Sequence, residues 1–416
     1  MRLSDIAIYV KDKINSSNIS LEEYVTTDCI LQNKRGREIA TNLPPQPCSL
    51  IHYKPGDVLI ANIRPYLKKI WYADMEGGAS SDVLVFRAKE GHSSEYLFAA
   101  LLQDTFFDYV MQGTKGSKMP RGDKEQIMRY EMPTLSISEE SIGKFILDIN
   151  KKLHLNEQIN QNLEALAKQL YYYWFVQFDF PNEEGKPYKS SGGKMKYSDE
   201  LQMDIPEAWN VCRLSEFICK NNTGDWGADE YSAKTPTEVG CIRGADIVKL
   251  NGLPKRYIKE SNKTKLLAEW DVVIEVSGGS PVQATGRSAF ITPGVIKRNG
   301  GKLTCSNFCH AFSFSDFRYS SYFIYIWKMF YDNNIMFNYE GKTSGIKNFM
   351  TETFLANKWV KAPEEIAYIF FNRVKELYAK IDANIEENNY LIKQRGELLP
   401  LLMNGQVSLN SDLSHG

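Results

Sequence analysis

The chain has 416 residues, 43% hydrophobic and 24% charged, and its 50 basic and 51 acidic side chains leave a net charge of −1. That length supports two or three domains with cores of their own, and the charge balance argues against a protein that simply coats DNA, whose basic excess would show in the total. No apolar run approaches the roughly 18 residues of a membrane span, the start Met1-Arg2-Leu3-Ser4-Asp5 lacks a signal-peptide apolar core, and seven cysteines, an odd number, point to reduced thiols and a cytoplasmic location.

Residues 1–138 mix short β-like runs with turn residues. Val58-Leu59-Ile60-Ala61-Asn62-Ile63 reads as a strand after the Pro55-Gly56-Asp57 turn, and Asp82-Val83-Leu84-Val85-Phe86 as another. Ser94 to Met111 reads as one helix ending at Gly113. A long helix is expected from Ser138 to Phe178, started by Ser138, Ser141 and the early acids Glu139 and Glu140. Phe180-Pro181 to Ile205 reads as a linker by composition, 181–205. Ile205-Pro206-Glu207-Ala208-Trp209 then opens a second globular unit, 206–362, and a second long helical region covers 363–408.

The chain is written twice. Arg2-Leu3-Ser4-Asp5-Ile6 returns as Arg213-Leu214-Ser215-Glu216-Phe217, Gly56-Asp57-Val58-Leu59-Ile60 as Trp270-Asp271-Val272-Val273-Ile274, and Ser93-Ser94-Glu95-Tyr96-Leu97 as Ser320-Ser321-Tyr322-Phe323-Ile324. The spacing grows slowly, as loop insertions make it: Arg2 to Arg213 is 211, Gly56 to Trp270 is 214, Ser93 to Ser320 is 227 and Ile142 to Phe370 is 228. A period this long means two copies of a globular domain plus a helix, not a solenoid.

The helical halves match position by position. Ile142, Ile146, Ile149, Leu153, Asn156, Asn160, Leu163, Ala167 and Leu170 correspond to Phe370, Val374, Leu377, Ile381, Asn384, Asn388, Leu391, Arg395 and Leu398. This 4-3 spacing reads as a coiled-coil seam. In an antiparallel pair, Asn156 and Asn160 would meet Asn388 and Asn384 and fix the register; the other reading leaves them at the rim, setting nothing. At roughly 1.5 Å per residue, Ile142 to Leu170 spans about 43 Å, against about 34–36 Å for one turn of DNA.

Several enzyme signatures fail. The adenine-methyltransferase loop, Asn/Asp-Pro-Pro-aromatic, is absent; Asn42-Leu43-Pro44-Pro45-Gln46 has an inserted leucine and no aromatic. Gly341-Lys342-Thr343 resembles the end of a phosphate-binding loop, yet Met336 stands where its first glycine belongs. Cys305, Cys309 and His310 lack a second close pair for zinc and read as strand residues. No catalytic residue, metal site or cofactor is therefore expected.

Basic, amide and glycine-rich loops are what remains. Gln112 to Lys124 carries Lys115, Lys118, Arg121 and Lys124, and its counterpart Asn338 to Asn348 carries Lys342 and Lys347. Such residues suit phosphate oxygens, and repetition in both copies favours DNA contact over an ordinary solvated loop. Arg64, Lys68 and Lys69 follow the first strand, and Gln283 and Arg287 follow its counterpart; Arg and Gln can bond two acceptors or donors on a base edge. Arg243 is a further candidate, or a plain surface charge. The run Tyr171-Tyr172-Tyr173-Trp174-Phe175 reads equally as a partner surface or as core.

With these residues assembled, the chain resembles the DNA-specificity subunits of type I restriction-modification systems over nearly its whole length. The strings that carry the resemblance are Gly56-Asp57-Val58-Leu59-Ile60, the stretch Gly113 to Pro133, Leu163-Glu164-Ala165-Leu166-Ala167-Lys168-Gln169-Leu170 with Trp174-Phe175, Ile205-Pro206-Glu207-Ala208-Trp209, and the ending Arg395-Gly396-Glu397-Leu398-Leu399-Pro400-Leu401-Leu402-Met403-Asn404-Gly405-Gln406-Val407. The resemblance implies an α+β chain of two mixed α/β target-recognition domains, 1–138 and 206–362. A long helical region follows each, 139–180 and 363–408, the two packing as an antiparallel coiled coil. It further implies a non-catalytic subunit that reads a bipartite site on double-stranded DNA, with two modification (methyltransferase) subunits and a restriction (translocase-nuclease) subunit as partners. Two departures stand out: Arg395 replaces Ala167 in the repeat, and the second copy lacks the Lys118-Met119-Pro120-Arg121 string. The rival from another class is a coiled-coil scaffold with two duplicated ligand- or protein-binding domains.

Overall fold

The structure is a computed structural model that describes residues 1–116, 118–132, 139–278, 282–343 and 346–409, without the side chains of 342–343. The chain divides into two compact units, Met1–Gln158 with Glu387–Gly416, and Ile159–Glu386.

In the first unit the central strand Val58–Ala61 is buried throughout, which explains its unbroken apolar run. Its sheet runs in the order Ala7–Tyr9, Val83–Ala88, Val58–Ala61, Ile70–Tyr72, all neighbours antiparallel. Successive side chains go to opposite faces, as strand geometry requires. Val58, Ile60 and Phe86 enter one core with Tyr96, Phe106 and Ile142. Leu59, Trp71, Val83 and Val85 enter a second core against a smaller sheet. That sheet runs Lys13–Asn15, Ser49–Tyr53, Gly77–Ala79, Tyr24–Val25, the last pair parallel.

The second unit repeats this plan. Its main sheet runs Ile218–Thr223, Cys309–Phe314, Val272–Glu275, Ser288–Phe290, again antiparallel. Val272, Ile274 and Phe312 face the large aromatic core, while Val273, Ala289 and Ala311 face the other. Its smaller sheet, Lys255–Ile258, Thr237–Ile242, Leu303–Cys305, keeps one parallel pair.

The repeat extends to single hydrogen bonds at the turn before the central strand. Asp57 accepts the Lys54 amide at 2.8 Å and Asp271 the Ala268 amide at 2.8 Å. The turn needs a left-handed residue, supplied by Gly56 (φ 90°) in one copy and by Trp270 (φ 71°) in the other. A bulky residue there costs of order 1 kcal/mol or more, and Trp270 offsets it by packing on Phe290 and Phe371 at 5.3 and 5.0 Å.

The copies then diverge. Asp57 receives a bidentate pair from Arg87 at 2.8 and 2.7 Å. Register places Ser313 at the Arg87 position of the second copy. Burial consequently raises the Asp271 carboxyl above the usual carboxylate value, with the Ala268 amide and Ser313 opposing the rise. A carboxyl raised in the folded state holds its proton there after the unfolded chain has lost it, so stability falls as pH rises from the unfolded value through the raised one. Asp271→Asn should remove that fall. Its advantage over the wild type in urea unfolding should be larger at pH 8 than at pH 4; an advantage that does not change with pH contradicts the account.

Three expectations need correction. The segment read as one helix from Ser94 to Met111 is two, Ser94–Leu101 and Asp104–Gln112. Gln103 turns extended between them (ψ 148°), and Asp104 at the new N-terminus is held by Lys34 and Lys68, each at 2.7 Å. Residues 181–205, read as a linker, are folded: Met195–Ser198 pairs with Met203–Pro206, and Asp179 accepts the Ser190 amide at 2.7 Å. Their turn-rich composition serves a hairpin. The first long helix is α-helical from Glu139 to Tyr171 and closes with a π turn, Tyr172–Val176; Ser138 lies outside the described residues.

The second long helix is Glu364–Met403. Within the first unit, Asn156 Nδ2 donates to Asn388 Oδ1 at 2.8 Å and to Glu387 at 2.7 Å. Within the second, Asn384 donates to Asn160 Oδ1 at 2.8 Å. Asn156 is fully buried and the other three are half-buried. No helix among the described residues is long and apolar enough to cross a membrane.

Candidate nucleic-acid interface

The central strand of the first unit runs on into Asn62, Ile63 and Arg64, and there it meets the loop that follows the second short helix. Ile63 bridges Arg121, the Arg64 amide donates to Pro120 O at 2.8 Å, and Gly122 N donates to Asn62 O at 3.4 Å. Lys115 and Arg121 exchange backbone bonds at 3.1 Å, closing the loop on itself. Two basic segments far apart in sequence therefore form one surface. Arg64 and Lys68 flank the turn Pro65–Leu67, both left-handed at φ 53° and 51°, a strained geometry that concentrates at functional sites.

Charges on this face are unequal. Arg64, Lys118 and Lys124 are exposed and have no ion-pair partner among the described residues. Lys115 is paired with Asp123 at 2.8 Å, and Arg121 with Asp82 at 3.2 Å. Asp123 also caps the helix Lys124–Ile127, accepting the Glu125 and Gln126 amides at 3.0 Å each. The Lys115 ammonium and those amides hold its carboxyl down at about 2.

In the second unit the same backbone frame recurs with other side chains. The central strand runs on into Ser277–Gly278, which pairs with Ile346–Phe349, itself paired with Glu340–Thr343. The Val276 amide donates to Phe308 O at 2.8 Å and the Phe349 amide to Val276 O at 2.8 Å. Their first-unit counterparts are Asn62 N to Asp82 O at 2.9 Å and Gly122 N to Asn62 O. These bonds align the copies residue by residue. Arg64 answers to Gly278, Arg121 to Asn348, and Asp82 to Phe308, an aromatic ring that is 55% exposed. Where the first unit presents guanidinium and carboxylate, the second presents amide and ring.

No family model matches the chain. It is 26% identical to the type I restriction enzyme MjaIX specificity subunit of Methanocaldococcus jannaschii, over 90% of this chain and 82% of that protein. The type I restriction enzyme HindI specificity subunit of Haemophilus influenzae is 23% identical, over 97% of this chain and 98% of that one. Its curated relatives are type I specificity subunits. The crystal structure of a type I restriction-modification S subunit from M. genitalium has the same fold, with a TM-score of 0.57 at 12% identity, covering 99% of this chain and 96% of that one.

Not every basic residue read from the sequence lies free on the surface. Arg287 grips Glu275 with two bonds of 2.8 and 2.6 Å, and Glu275 is buried; its fork is occupied inside the fold. Lys347 pairs at 2.9 Å with the half-buried Glu340 and sits 5.0 Å from the Phe337 ring. Lys69 donates to the Thr27 carbonyl at 2.5 Å, and Lys68 is held by Asp104. Arg243 closes on Asp246 with bonds of 2.7 and 2.8 Å. Gln283 is exposed. The Lys342 side chain lies outside the described residues.

The partners that neutralise these cations, Asp82, Asp104, Asp123, Glu275 and Glu340, escaped the sequence reading because pairing across loops leaves no local pattern. The near-zero net charge was the one available signal. Cys305 and Cys309 stand in or beside the strands Leu303–Cys305 and Cys309–Phe314, both buried, and burial pushes the Cys309 thiol up to about 12. Among the described residues no group of three or more His, Cys, Asp or Glu is placed to hold a metal ion.

Proposed function

We propose that this chain is the DNA-recognition subunit of a type I restriction-modification complex, reading one half of a split double-stranded site with each unit. Two modification subunits and a restriction subunit are its partners and supply the methyl transfer and cleavage; the chain contributes no catalytic side chain. In the same reading the long helices form an antiparallel seam, which the Asn156–Asn388 and Asn160–Asn384 bonds support.

The observation that carries the reading is the shared frame with unlike side chains: Arg64, Arg121 and Asp82 in one unit, Gly278, Asn348 and Phe308 in the other. A duplicated scaffold whose exposed residues differ at matched positions suits two unlike half-sites, since base identity is read by side chains and phosphates only fix position. The relatives named above point the same way.

Salt dependence of DNA binding by the complex tests it. Arg64→Ala and Lys118→Ala should each flatten the plot of log affinity against log salt by about 0.9 per lost phosphate contact. Lys115→Ala should move it less, because Asp123 already claims that charge. Unchanged slopes for both Arg64→Ala and Lys118→Ala remove this face from the interface.

A further inference from the structure

A cavity of about 610 Å³ opens in the first unit between the end of the second long helix and the short helix Asp104–Gln112, lined among others by Lys34, Gln103, Asp104, Tyr130, Arg395 and Leu399. Arg395 is only 7% exposed, yet its single bond of note is Nη1 to the neutral Asn150 Oδ1 at 2.5 Å. No carboxylate among the described residues lies within ion-pair distance of it. Asp104, the acid that favours its charge from farther off, is already bridged by Lys34 and Lys68 at 2.7 Å each. Three cations thus gather round Asp104; the other acid on the lining, Glu131, is exposed and forms no ion pair with them. A buried charge left unpaired costs several kcal/mol, so the arrangement calls for an anion.

The second unit supplies an internal comparison. The 228-residue repeat that sets Ile142 against Phe370 puts Ala167, Tyr171, Trp174 and Phe175 where the first unit has Arg395, Leu399, Leu402 and Met403. There the space is filled: Ala167, Tyr171 and Phe175 are buried, with Tyr171 and Phe175 against Tyr322 and Phe370. One copy packs rings at these positions; the other has aliphatic side chains and, in place of Ala167, a guanidinium on the cavity wall.

We propose that the cavity binds a small ligand through one oxyanion, a phosphate or a carboxylate, seated on Arg395 with Lys34 beside it. The volume is that of a small-molecule site, and a guanidinium's fork matches either oxyanion. Crowding of Lys34 by burial and by its cationic neighbours, which lowers its pKa, is relieved by the bound anion.

The test is calorimetric titration of the full chain with inorganic phosphate and, separately, with sodium glutamate, against sodium chloride at matched ionic strength. Saturable binding of either anion is expected, and which one binds separates a phosphate-class from a carboxylate ligand. Arg395→Leu and Lys34→Gln should each weaken it about tenfold or more, the loss of a charge-assisted bond. If Arg395→Leu fails to fold, Lys34→Gln carries the test. Wild-type chain that binds neither anion beyond the chloride response, or variants that bind as well as wild type, overturns the proposal.

Discussion

Arg287→Leu should destabilise the second unit by about 3 kcal/mol or more, the cost of stranding a buried charge. The reasoning is local. Glu275 is 5% exposed and receives both charge-assisted bonds from Arg287. Their backbones are also tied, Glu275 N donating to Arg287 O at 2.8 Å and Gly286 N to Glu275 O at 2.9 Å, so neither can turn away cheaply. Removing the guanidinium leaves the carboxylate with no equivalent partner. The double variant Glu275→Leu/Arg287→Leu should recover much of the loss, because a buried pair replaced as a whole is close to neutral. Urea unfolding of the three proteins measures both. A stably folded Arg287→Leu whose only defect is altered DNA selectivity would return Arg287 to the reading surface, where its sequence position had suggested it.

The second large effect is expected at Phe175. Its ring is fully buried and packs against Tyr171, Trp174, Trp209, Tyr322 and Phe370 at centroid distances from 4.6 to 6.2 Å. Phe175→Ala should cost about 3–5 kcal/mol by lost burial and by the cavity left behind. Tyr173 in the same run is 39% exposed, and Tyr173→Ala should fall within about 0.5 kcal/mol of wild type. The run Tyr171–Phe175 left core and partner surface equally open as a sequence; for Tyr171, Trp174 and Phe175 the structure decides for core. Equal losses at Phe175 and Tyr173 in unfolding experiments would contradict that assignment.

What was legible in the sequence is what repeats or alternates. The strings around Gly56 and Trp270 matched because both serve the same turn, down to the aspartate that accepts an amide three residues back. Val58–Ala61 was legible because a strand buried on both faces has to be apolar throughout. The asparagines of the long helices were visible as matched polar positions in an apolar spacing.

What was not legible is non-local. A lysine on a loop reads the same whether it meets solvent, as Lys118 does, or a backbone carbonyl, as Lys69 does. The helix break at Gln103 depends on Lys34 and Lys68 arriving from elsewhere to hold Asp104. The hairpin inside 181–205 looked like a connector because turn residues are common to both. The frame that joins Arg64 to Arg121 is a matter of strand pairing, and the same pairing sets Phe308 and Asn348 at the matched places of the second unit.

The central claim is that this chain chooses the DNA sequence on which a partner acts. Methylation mapped across the genome of a host that carries a type I modification subunit, with this chain and without it, tests that most directly. The account predicts a split motif with a fixed gap, methylated only when the chain is present, with Arg121→Ala relaxing one half of the motif and Asn348→Ala the other. Identical methylation in both hosts, where the modification subunit is demonstrably active, contradicts it.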